Sequence, residues 1–225
     1  LLLIAPVSGF RNKPGTARWS MIVLLVITLI SVFASSFAVQ SIDQTAAFAR
    51  MFALDPFSIF FKALLIVTIA MVTFLSDGYL RRSPYAAWEY YSLLAFALCG
   101  TMFMVSGVSL VTIYVGLELM SLSSYILAGY FKNEQKSTEA AMKYFVLGAV
   151  SSAILLYGIS LIYGVTSSLN LRDISQAMST QVSNDALMFG IMLLGAGLCF
   201  RGCVHSALAK KCLILSVRSD QLDKI

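Results

Sequence analysis

Charge is scarce in this sequence. Of its 225 residues 12% are charged and 59% hydrophobic, and the mean hydropathy is +0.84, whereas soluble domains carry about 25% charged residues. That balance excludes an ordinary water-soluble globule and leaves a polytopic membrane protein. Histidine is reduced to His205, and the four cysteines, Cys99, Cys199, Cys203 and Cys212, contain no CxxC pair. No metal-ligand cluster of familiar spacing can be built from them; Cys199 and Cys203, four apart, read as apolar membrane cysteines. With no phosphate loop, flavin site or haem ligand pair visible, no redox centre is expected in the chain. The formal charge of +5 comes from sixteen Lys and Arg that fall mostly in short segments between apolar runs. They lack the aromatic interleaving of a nucleic-acid surface, which excludes that class of partner.

What the chain does have is long apolar runs. Leu1 to Phe10 is too short to cross a bilayer and reads as the end of a truncated helix, and a first residue that is leucine suggests that the natural start is missing. Arg11 to Arg18 reads as a basic loop with a Pro-Gly turn signal. Spans are then expected over residues 20–40, 56–76, 85–106, 110–131, 137–163 and 186–200, giving an all-α bundle of about six transmembrane helices. Asp55 is placed to cap the second span and Pro56 to open it. The three residues Gly107 to Ser109 force the third and fourth helices into a tight antiparallel hairpin. Ser137 is expected to cap the fifth helix, with Glu139 in its first turn. The stretch from Thr166 to Asp185 carries no readable motif. Basic residues between the spans segregate: Arg11, Lys13, Arg18, Arg81, Arg82, Lys132 and Lys136 fall on one side, against Arg50 and Arg172 on the other. By the positive-inside rule the richer side is cytoplasmic.

Inside the spans, ionisable residues are few enough to discuss singly. Glu118 lies in TIYVGLELMSLSSYILAGYF (Thr112 to Phe131), too deep for its carboxylate to reach either interface. An acidic residue at a helix centre costs roughly 2.5–3.5 kcal/mol on insertion scales, so its default reading is functional, with a structural interhelical hydrogen bond as the competitor. Tyr114, Glu118, Ser121 and Tyr125 recur at spacings of four, three and four, which puts the acid on a polar stripe expected to face other helices. Lys143, in the fifth helix, can snorkel or pair with Glu139 at i,i+4, or it can serve a proton path. Lys62, near the start of the second helix, reads more simply as a snorkelling lysine. A desolvated carboxyl holds its proton tightly and a nearby ammonium loosens that hold, so moving one against the other makes a switch.

The run VGLELMSLSSYILAGY followed by STEAAMKYFVLGAVSSAILLYGISLIYG resembles the antiporter-like subunits of respiratory complex I. Among them it is most like the bacterial subunit N type, whose mitochondrial counterpart is NADH dehydrogenase subunit 2. MFALDPFSIFFK (Met51 to Lys62) and YYSLLAFALCGTMFMVSG (Tyr90 to Gly107) extend the likeness over residues 51–200. The resemblance implies a proton-translocating subunit of the membrane arm of NADH:quinone oxidoreductase, in the cell inner membrane among other membrane-arm subunits. NADH, FMN, iron–sulfur clusters and quinone would all be handled by those other subunits. It further implies that Glu118 is the family's intramembrane glutamate and Lys143 the lysine of the following helix, both on the proton route, with Glu118 exchanging a proton while Lys143 sets its field. A subunit of a multi-subunit sodium/proton antiporter or of a membrane-bound hydrogenase is the nearer alternative; a non-transporting scaffold or gene remnant is the other.

After Phe200 the likeness stops. Family members place a lysine and then a Pro-Phe-His-x-Trp-x-Pro-Asp stretch there, whereas this chain reads RGCVHSALAKKCLILSVRSDQLDKI, with Arg201 at the lysine position. A guanidinium does not readily give up its proton, so Arg201 can set a field but is a poor relay. Residues 1–200 are therefore expected to form the antiporter-like domain. Residues 201–225, which hold no aromatic residue, read as an atypical basic tail, the abrupt shift after Phe200 pointing to a change of reading frame or a misassembly.

Overall fold

The computed structural model describes residues 14–38, 51–80, 87–131, 133–180 and 185–222. Seven helices are present among them: α1 (Pro14–Ala38), α2 (Pro56–Leu80), α3 (Ala87–Ser106), α4 (Leu110–Ala128), α5 (Gln135–Thr166), α6 (Leu171–Thr180) and α7 (Asp185–Leu222). Six of them are long and apolar enough to cross a membrane: Gly15–Ser35, Pro56–Ser76, Ala87–Ser106, Leu110–Ala128, Gln135–Thr166 and Asp185–Ser206. Helices dominate because hydrocarbon offers no partner for backbone N–H and C=O groups, and a helix satisfies them within one segment. The expected reading of Leu1 to Phe10 lies outside the described residues.

The chain divides into two compact units, Leu1–Leu127 and Ala128–Ile225. In the first, α1 begins at Pro14, so the expected basic loop is already helical from that residue on. Proline suits a first helical position, since its φ is preset and it has no N–H to leave unpaired. α2 opens at Pro56 as expected, but the turn is closed by the Ser58 hydroxyl rather than by the Asp55 carboxylate. Ser58 Oγ accepts the Asp55 N–H at 3.1 Å and donates to the Asp55 carbonyl at 2.8 Å. Just before α2 the backbone runs antiparallel to the α3–α4 connection: Ala53 N–H donates to the Ser106 carbonyl and Val108 N–H to the Met51 carbonyl, each at 2.9 Å. These bonds hold the starts of α2 and α4 and the end of α3 at one end of the unit. α2 packs on α1 and α3, and Ser76 Oγ and Tyr90 Oη share a hydrogen bond of 2.8 Å between α2 and α3. The α3–α4 hairpin closes on glycine. A Cβ at Gly100 would stand 2.6 Å from the Met120 nitrogen, and one at Gly116 would stand 2.7 Å from the Gly100 carbonyl oxygen.

In the second unit α5 and α7 pack along their length, again through small residues. A Cβ at Gly158 would lie 2.9 Å from both the Gly190 oxygen and the Leu194 nitrogen, and one at Gly197 would lie 2.7 Å from Leu155 Cγ. Close backbone approach of this kind is how membrane helices gain packing energy where lipid removes the hydrophobic drive. Ser137 is not the cap of α5. The cap position is Glu134, and Ser137 Oγ instead donates to the Ala128 carbonyl at 2.7 Å, satisfying the last residue of α4. α5 ends at Ser167, whose left-handed backbone (φ 52°) turns its N–H onto the Tyr163 carbonyl.

The segment without a readable motif holds α6. Asn170 caps it: its carbonyl accepts the Ile174 N–H and its Oδ1 accepts the Arg172 N–H, both at 3.0 Å. Ile174 is the buried anchor of this short amphipathic helix. α7 then runs unbroken through Phe200 and Arg201.

Gly100→Val and Gly158→Val should each destabilise by about 1–3 kcal/mol or more through overpacking. Gly164→Ala, with open space around its Cα, should be neutral or slightly stabilising. Thermal midpoints of the detergent-solubilised chain separate the two classes.

Candidate functional site

α4 carries the acid. Val111, Val115, Leu122 and Ile126 are exposed, whereas Leu117, Ser121 and Tyr125 are buried, Ser121 fully. Glu118 is half-buried and stands at the margin between these two sides. The polar stripe read from the spacing therefore turns inward at Ser121 and Tyr125, with Glu118 at its rim. On the same helix Ser123 and Ser124 donate to the Leu119 and Ser121 carbonyls at 2.8 Å. That back-bonding hides their polarity, so neither hydroxyl hydrogen is left to donate to the acid.

α2 shows a sharper division. Phe57, Phe60, Leu64, Val67, Met71, Phe74 and Leu75 form an exposed apolar stripe, and Ser58, Ile66 and Thr73 are buried on the opposite side. Lys62 is four residues from both Ser58 and Ile66, so it sits at the centre of the buried side. It is itself only partly buried. This placement was missed from the sequence, where nearness to the helix start favoured snorkelling. A count of which positions on α2 carry aromatics would have located the lipid-facing stripe and, opposite it, the lysine.

The second unit holds the other two residues. Lys143 is paired with Glu139 one turn earlier on α5, and both side chains are more than half exposed, 60% and 57%. Arg201 on α7 is 2% exposed, and its Nη1 donates to Ser152 Oγ on α5 at 2.5 Å. The guanidinium is therefore held between the two helices of this unit beside the glycine crossing, with His205 one turn further along α7. Burial of an arginine in a span requires such acceptors, because an unsatisfied buried charge costs several kcal/mol. Among the described residues no group of three or more His, Cys, Asp or Glu could hold a metal ion.

Residues 107–205 match the family model described as NADH:quinone oxidoreductase/Mrp antiporter, transmembrane. NADH-quinone oxidoreductase subunit N 2 of Rhizobium meliloti (strain 1021) is 39% identical over 201 residues, 89% of this chain and 41% of that protein. Subunit N of Acidithiobacillus ferrooxidans is 41% identical over 181 residues, 80% of this chain and 37% of that protein. A chain of respiratory complex I from Thermus thermophilus with bound aureothin superposes with a TM-score of 0.66 at 26% identity, over 88% of this chain and 41% of that one. A chain of the membrane-bound sulfane sulfur reductase, an archaeal respiratory membrane complex, gives 0.69 at 24% identity with the same coverage, which shows the shared fold alone. The chain spans about two fifths of the length of the curated relatives it matches.

Ser152→Ala removes an acceptor from the buried guanidinium and should cost about 1–3 kcal/mol, whereas Lys143→Ala, which breaks an exposed pair, should cost no more than about 0.5 kcal/mol. Thermal midpoints in detergent should rank the variants in that order.

Proposed function

We propose that this chain, which matches the NADH:quinone oxidoreductase/Mrp antiporter family model over residues 107–205 and is 39% identical to a subunit N, is a proton-translocating membrane-arm subunit of NADH:quinone oxidoreductase. It would assemble with the other membrane-arm subunits in the cell inner membrane, with its basic loops on the cytoplasmic side. Oxidation of NADH and reduction of quinone, with FMN and iron–sulfur clusters, would fall to those partners, and this chain would carry no redox group.

The observation that carries the reading is Glu118: a carboxylic acid within the Leu110–Ala128 span, half-buried at the rim of a polar stripe that turns inward. An acid so placed can take up a proton and release it as the electrostatics around it change, and a buried stripe of hydroxyls gives water a place to stand. Lys143, paired with Glu139, supplies a second group that can trade protons in its own unit. Arg201, fixed against Ser152, keeps its charge throughout and shapes the field without carrying protons. An antiporter subunit is the second reading, because the family model matched by residues 107–205 is described as NADH:quinone oxidoreductase/Mrp antiporter. Identity of 39–41% to subunits N favours the quinone-linked reading.

In membrane vesicles holding the assembled complex, Glu118→Gln should lower NADH-driven proton uptake at least tenfold, and Glu118→Asp should retain part of it. Unchanged uptake in Glu118→Gln would sink the assignment. Sodium-dependent uptake in the unaltered protein would point to the antiporter reading.

A further inference from the structure

We propose that α6 is a membrane-surface helix that lies flat in the lipid interface beside the end of α5, with Leu171 and Met178 seated among the acyl chains and Arg172 and Gln176 turned to water. Its partner is the lipid surface itself. This role is independent of Glu118 and of any proton movement.

The chain on either side limits where α6 can stand. α5 ends at Thr166 and α6 starts at Leu171, while α6 ends at Thr180 and α7 starts at Asp185. Only residues 167–170 and 181–184 separate it from two spans, so neither of its ends can be more than about 18 Å from the end of a crossing. Its ten residues make a helix about 15 Å long, about half of what a crossing needs. The first connection is also tied down. Ser168 Oγ donates to Asp173 Oδ2 at 2.7 Å and accepts the Asn170 N–H at 3.2 Å, and Thr166 Oγ1 donates to the Ser168 carbonyl at 3.0 Å. α6 is thereby held in one direction at the end of α5, the helix it packs against.

Rotation about its own axis is set as well. With 3.6 residues per turn, Leu171, Ile174, Ala177 and Met178 fall within an arc of about 120°, and the polar residues of α6 occupy the remainder. Ile174 lies inside that arc and is 6% exposed, whereas Leu171 and Met178, both on one flank of it, are each 41% exposed. The protein thus covers only part of the apolar face. The two neighbouring spans also turn apolar side chains outward at this end: Tyr163 in the last turn of α5, and Met188 and Phe189 near the start of α7. A tyrosine at the end of a span marks the level of the head groups, because its ring suits the acyl boundary and its hydroxyl suits water.

The size of the exposed flank favours lipid over a protein. A stable protein interface buries about 800 Å² on each side, far more than two side chains of a ten-residue helix supply. An interfacial helix has only to sink its apolar face about 5–10 Å into the head-group boundary. The polar face carries one cation, Arg172, and one anion, Asp173, so it brings no net charge to anionic lipid. Attachment rests on the apolar flank, and uncharged phosphatidylcholine is a sufficient surface.

Tryptophan fluorescence of the full chain in phosphatidylcholine vesicles tests this. Trp19→Phe removes the exposed natural indole and leaves Trp88, which is buried, as a constant background. Leu171→Trp, Met178→Trp and Gln176→Trp are then added singly, and each is quenched by lipid brominated in the upper part of one acyl chain or by iodide on both sides of the membrane. Brominated lipid should reduce the added emission at 171 and 178 at least twofold while changing that at 176 little, and iodide should do the reverse. Iodide quenching at 171 and 178 as strong as at 176 puts the flank in water and overturns the proposal. Protection of 171 and 178 from both quenchers means that protein covers them, a second copy or another part of the chain, and overturns it too. Equal quenching by brominated lipid at all three positions sinks the whole helix into lipid and overturns the flat orientation.

Discussion

A bilayer interior has no water to share, and most of this molecule follows from that single constraint. Backbone groups must be satisfied within each segment, so the crossings are helical. Side chains with charge must be turned away from lipid or held by acceptors, so the few that occur mark where the interior lies. α2 displays the rule most plainly: seven large apolar residues form its exposed stripe, and the one lysine lies opposite them. Arg201 displays it differently. It is almost wholly buried, and the Ser152 hydroxyl receives one of its N–H groups.

Such burial depends on how closely helices approach. Gly100 and Gly116 bring α3 against α4, and Gly158, Gly190 and Gly197 bring α5 against α7; at Gly100, Gly116, Gly158 and Gly197 an added Cβ would stand within 3.0 Å of a neighbouring atom. Lipid tails are as apolar as leucine, so helices associate through contact and hydrogen bonding rather than through escape from water. A serine hydroxyl then serves in two ways. Most serines in these spans bond back to their own helix, as Ser123 and Ser151 do. Ser137 donates to Ala128 nine residues away, and Ser152, while donating back to Gly148, also accepts from Arg201, so both join segments that the sequence separates.

The two units differ in electrostatic character, and that difference organises the proposed mechanism. In the first, Lys62 lies on the buried side of α2 and Glu118 at the rim of the polar stripe of α4. In the second, the guanidinium is anchored and the lysine is paired with a carboxylate on its own exposed helix face. An exposed pair at i,i+4 contributes only a few tenths of a kcal/mol and exchanges readily.

By itself the sequence determined the helical class and the number of crossings, because bilayer thickness fixes how many apolar residues a crossing needs, and hydropathy counts them. It placed the start of α2 at Pro56 and the break at Gly107 to Ser109, where local chemistry decides. It singled out Glu118, whose cost in hydrocarbon is visible from its neighbours alone. What it left open were matters of rotation and partnership. Ser137 reads as a cap from its position, yet its hydroxyl is taken by Ala128 nine residues away. α6 was hidden because ten residues are too few for a periodicity to stand out, although Asn170 before Leu171 was a legible start signal. The reading of Lys62 turned on its distance from a helix end, while its setting turned on which way α2 faces. Only the tertiary structure decided that, since the rotation of a helix about its own axis is set by the neighbours it packs against, and a single chain of letters does not contain them.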